Sequence, residues 1–99
     1  GVNMPKRNAL LNLLCGYLKK HKDTKSKNLF FSNNGKVIKV YGPRRSFWSF
    51  KRDHLATITA ISRSSPVVAT FHPESALPHQ VVLETTIKSF VKEVEIKFS

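Results

Sequence analysis

Between Arg44 and Arg52 the chain reads Arg-Arg-Ser-Phe-Trp-Ser-Phe-Lys-Arg, four bases and three aromatic residues in nine positions. That mixture suits a polyanion that also carries flat rings. Lys and Arg neutralise backbone phosphates with release of counterions, while exposed aromatic faces and Arg planes stack on unpaired bases. Phe30, Lys39 and Tyr41 supply the same two ingredients upstream, and the run from Lys19 to Lys27 adds charge. The residues expected to meet such a ligand are Lys19, Lys20, Lys22, Lys25, Lys27, Phe30, Lys36, Lys39, Tyr41, Arg44, Arg45, Trp48, Lys51 and Arg52. A second expectation competes for the aromatic residues. Phe47, Trp48 and Phe50 also suit a plug closing an open end of the core, and Phe30 a place beneath a helix. Arg44 and Arg45, beside Gly42-Pro43, have little to bury and few acids near them.

Other chemistry has weaker support. Cys15 stands among leucines on the apolar side of an expected helix, where a small buried thiol is the ordinary outcome. His21, His54, His72 and His79 are scattered, with no His-x-x-x-His or Cys-x-x-Cys pair. His72, Glu74 and His79 fall close enough around a proline-bounded connection to suggest zinc, but a surface loop rich in Pro and His needs no metal. Glu93 and Glu95 read as the solvent side of a strand. Asn34-Gly35-Lys36 lacks the Gly and Ser or Thr spacing of a phosphate loop. No catalytic residue, metal site or cofactor is expected.

The charge is unevenly spread. The chain has 99 residues and a formal net charge of +11. From Lys6 to Arg52, thirteen Lys and Arg stand against Asp23 alone, a local charge of +12. From Asp53 onward, four bases meet five acids, a charge of −1. Such a field draws a polyanion to one side of a small particle. With 40% hydrophobic residues, seven of them Phe, the chain has the means to fold. Its length suits a single domain spanning residues 1–99. Apolar runs such as Val81-Val82-Leu83 fall far short of the roughly 20 residues that cross a bilayer. A lone cysteine forms no internal disulfide, which favours an intracellular, reducing compartment without choosing among nucleus, cytoplasm and mitochondrion. The opening Gly1-Val2-Asn3, without Met or a signal pattern, fits a processed protein or a domain of a longer one.

The elements that must carry these residues follow from periodicity. Pro5 and then Leu10, Leu11, Leu14, Tyr17 and Leu18 predict a helix from about Lys6 to Lys20, with Gly16 pointing to close packing against another element. The lysine run after it has nothing apolar to bury and reads as an exposed loop. Asn34-Gly35 between apolar runs predicts a hairpin turn. Phe31 then opposes Ile38 and Leu29 opposes Val40 on a core face, with Phe30, Lys39 and Tyr41 on the other. Gly42-Pro43 ends the hairpin. Leu55–Ser62 and Val67–Phe71 read as strands joined by an Arg63-Ser64-Ser65-Pro66 turn. After Pro78, Leu83, Ile87, Phe90, Val91 and Val94 keep a helical spacing that Phe98 continues, while Val94, Ile96 and Phe98 also alternate as a strand would; the reading adopted is a helix to about Lys92 and then a short closing strand.

The expected class is α+β, one antiparallel sheet of four to five strands with two helices packed on it. The expected function is non-enzymatic binding of nucleic acid, with RNA favoured because aromatic residues accompany the charges, in the manner of a ribonucleoprotein or ribosomal component. The alternatives are DNA, with the first helix in a major groove, or docking on anionic phospholipid or an acidic protein. The chain carries none of the Gly-x-x-Gly, aromatic ribonucleoprotein or zinc-finger spacings.

Overall fold

Leu10, Leu11, Leu14 and Leu18 share one stripe of a helix and are almost wholly buried. In the computed structural model, which describes residues 6–60 and 67–97, this helix is α1 (Arg7–Lys20), followed by α2 (Lys22–Ser26), β1 (Phe30–Asn33), β2 (Val37–Arg44), β3 (Arg52–Thr59), β4 (Val68–Phe71) and α3 (Leu77–Lys97). The strands form one antiparallel sheet in the order β1-β2-β3-β4. The stripes of α1 and α3 cover one face of it, where Phe31, Ile38, Val40, Ala56 and Ile58 meet Leu83, Ile87, Phe90 and Val94 in a single core. The fold is the α+β arrangement read from the sequence. Cys15 is buried in this core beside its leucine neighbours.

The hairpin keeps the expected faces but not the expected pairing. Phe31 opposes Val40 and Asn33 opposes Ile38, so the two-residue loop is Gly35-Lys36 and not Asn34-Gly35. Gly35 takes φ +89°, while Asn34 folds its Oδ1 back to accept from the Lys36 and Val37 amides at 2.9 Å each. The partner strand slides by two residues, a whole pleat period, which preserves every side chain's face. Leu29 consequently lies before the ladder, half-buried against the core.

Four further expectations change. The lysine run is not all loop, because α2 forms within it. Thr24 supplies the anchor: it is buried, its hydroxyl donates to the Leu18 carbonyl, and the His21 carbonyl lies 2.9 Å away. The hairpin does not end at Gly42-Pro43. Strand β2 continues to Arg44 through register shifts on either side of Tyr41, and β3 begins at Arg52 and ends at Thr59, earlier than expected at both ends. The closing strand expected over residues 94–98 is replaced by helix over its described part, since α3 runs to Lys97. Val94 is buried four residues after Phe90 while Ile96 is exposed, so the helical stripe overrides the alternation; the helix also pairs backbone groups that a lone strand leaves open. Phe98 and the Arg63–Pro66 turn lie outside the described residues.

Gly16 is the fourth. A Cβ built there meets nothing within 4 Å, so close packing does not explain the glycine. Gly16→Ala is therefore expected to stabilise the protein by about 0.5 to 1 kcal/mol, the helix-propensity difference, seen as a higher denaturant midpoint.

Candidate nucleic-acid interface

The face of the sheet turned away from the helices is open, and its residues fall in rows across the strands. Phe30 opposes Tyr41 and Tyr41 opposes His54, with ring centroids 6.1 and 5.5 Å apart. Ser32, Lys39, Thr57 and Thr70 form the next row. Phe30 is 50% exposed, against 3% for its neighbour Phe31, so it lies under no helix. His54 owes its place to an irregularity. It shares the parity of Ala56 and Ile58, which face the core, but the register shift between Val40 and Tyr41 buries Leu55 and Ala56 in succession and carries His54 to the open face. Its Nε2 lies 3.2 Å from the Thr57 hydroxyl, which fixes the ring on the sheet.

Beside this face, residues 45–51 form a loop closed by its own hydrogen bonds. The Arg45 amide donates to the Lys51 carbonyl at 3.2 Å, the Ser49 amide to the Ser46 carbonyl at 3.2 Å, and the Lys51 amide to the Ser49 hydroxyl at 3.1 Å. The loop displays its rings to solvent: Phe47, Trp48 and Phe50 are 85%, 87% and 83% exposed. The plug reading fails for all three. Phe47 and Trp48 meet edge to face at 5.1 Å, and the Arg44 guanidinium lies 4.7 Å over the Phe50 ring.

The bases divide by what already holds them. Arg45 pairs with Asp53, its Nε 3.0 Å from the carboxylate, so an acid scarce in the local sequence is supplied by the neighbouring strand. Arg52 donates to the carbonyls of Asn28 and Gly42 at 2.9 Å each and covers Phe30 at 5.4 Å. It binds the entry of β1 to β2, and what it offers a ligand is a guanidinium plane. Lys39 projects from the open face, Arg44 and Lys51 flank the loop, and Lys36 tops the hairpin, all exposed. Lys19, Lys20, Lys22 and Lys25 do not join them. They belong to α1 and α2 on the helical side, where Lys20 and Lys22 line a groove between α1 and α3, and Lys27 sits at the C-terminal end of α2. Tyr17, floored in that groove, has its phenol held above the usual range by burial and then by nearby Glu93, far from the open face.

The expected set thus splits in two, and His54, Phe47 and Phe50 join the half on the open face. Loop composition alone pointed to Phe47 and Phe50; no sequence signal marked His54. Among the described residues no group of His, Cys, Asp or Glu gathers as metal ligands, and no helix is long and apolar enough to cross a membrane.

Fold and face together define a four-stranded α+β domain that leaves an aromatic, basic sheet surface uncovered. No family model matches the chain, and comparison with curated proteins and with solved structures finds no match either.

Proposed function

We propose that this chain is a non-enzymatic nucleic-acid-binding domain, with RNA favoured over DNA, that receives a single strand on the open sheet face. The observation that carries this reading is the row Phe30, Tyr41 and His54 on the open face, with Phe30 and His54 exposed and Tyr41 half-buried, bordered by Lys39, Arg44, Lys51 and the guanidinium plane of Arg52. Rings on a flat face accept splayed bases, which a closed duplex does not present, and the surrounding cations take the phosphates. A second reading has one observation in its favour: the exposed Phe47, Trp48 and Phe50 among bases also suit insertion at an anionic bilayer surface.

Titrations with single-stranded RNA beside sedimentation with anionic vesicles separate the two. Phe30→Ala and Tyr41→Ala are each expected to weaken binding of the strand by roughly 1 to 3 kcal/mol while the protein stays folded. Vesicle binding lost with Trp48→Ala, together with RNA binding indifferent to Phe30 and Tyr41, overturns the RNA reading in favour of the membrane.

A further inference from the structure

We propose that the cleft at the end of the aromatic row holds one unstacked nucleobase of the bound strand and reads its edge, an inference that rests on the nucleic-acid reading and gives it a sequence preference. The cleft measures about 590 Å³ and opens where β2 and β3 meet the segment leading into α3. His54 belongs both to its wall and to the open face, and His72 stands 6.2 Å from it, so the row of rings runs from Phe30 into the cleft.

Charge decides which part of a nucleotide fits. Arg44 and Arg45 line the cleft, but so do Asp53 and Glu74, and the four charges cancel. A phosphate site carries surplus positive charge; this one offers donors and acceptors side by side, beside imidazole rings. That is the complement of a base, which is neutral and flat and has both kinds of group along its edge. Of the two guanidiniums in the cleft, Arg45 is paired with Asp53 and Arg44 has no carboxylate partner among the described residues, which places it to meet the adjoining phosphate.

The wall is rigid enough to discriminate. The His72 amide and the Ser75 hydroxyl both donate to the Leu55 carbonyl at 2.7 Å, and the Gln80 side chain donates to the Ser75 carbonyl at 3.0 Å, which pins the connection onto β3. One group in the lining is unsatisfied. His79 Nδ1 is buried without a hydrogen-bond partner, and a buried polar nitrogen of this kind calls for one.

The test uses the full chain, a short oligouridine, and three versions in which one central nucleotide is A, C or G. The four strands are expected to differ in affinity by about tenfold or more, and the imidazole resonances of His72 and His79 to shift with the preferred strand. His72→Ala, at an exposed position, and His79→Ala are each expected to bring the four affinities within about twofold, with the salt dependence of binding unchanged. Equal affinities in the unaltered protein, or a preference that survives His72→Ala with the His79 resonances unmoved, overturns the cleft as the base site while the nucleic-acid reading stands. Failure to bind any of the four strands removes that reading itself.

Discussion

Phe31→Ala is expected to cost about 3 to 5 kcal/mol of stability, the usual loss on emptying a buried Phe site. Phe31 is 3% exposed and packs in the one core shared by the sheet and both long helices, so no flexible surface stands ready to collapse into the space. A small domain has roughly 5 to 15 kcal/mol in hand, so the variant should melt tens of degrees lower, at about 4 to 8 °C per kcal/mol. Phe30→Ala, one residue away, should scarcely move the melting curve. Its ring touches Tyr41 and the Arg52 guanidinium across a half-open face, and the carbonyl bonds of Arg52 hold without it. Adjacent residues are thus expected to separate stability from binding: Phe31→Ala to lower the first and Phe30→Ala, under the proposed function, the second. Should Phe30→Ala unfold the protein while Phe31→Ala leaves it intact, the face assigned to the ligand is core.

That contrast was legible in the sequence even though the pairing was not. Faces depend only on parity along a strand, and the Asn-Asn-Gly-Lys turn admits loops two residues apart in pairing that leave parity unchanged. Where parity itself breaks, the sequence is silent: the irregularity at Tyr41 that turns His54 outward, against the parity of Ala56 and Ile58, has no composition signal. The lysine run concealed α2 for a related reason. A single buried threonine, satisfied by two carbonyls of the preceding turns, holds that turn of helix, and hydrophobic periodicity does not register it. Charge was legible along the chain but not over the folded surface, because the pairing of Arg45 with Asp53 and the carbonyl bonds of Arg52 depend on strand neighbours.

The distribution governs the second large effect, the response to salt. If phosphates provide much of the affinity, the logarithm of the binding constant falls linearly with the logarithm of salt, at about −0.7 per phosphate neutralised on a single strand. With about four to five phosphates engaged, affinity should drop roughly fiftyfold to a hundredfold between about 50 and 200 mM salt. The slope should then answer to the structure residue by residue. Lys39→Ala and Arg44→Ala, which remove cations with no carboxylate partner among the described residues, should each reduce its magnitude by about 0.7 and weaken binding across all sequences alike. Arg45→Ala should change it much less, since the Asp53 carboxylate already neutralises that guanidinium. Lys19→Ala and Lys22→Ala, on the helical side, should leave the slope where it was. A titration with no salt dependence disposes of phosphate contacts altogether. A slope that falls with Lys19 and Lys22 but not with Lys39 and Arg44 moves the ligand to the helices, and with it the case for the open sheet face.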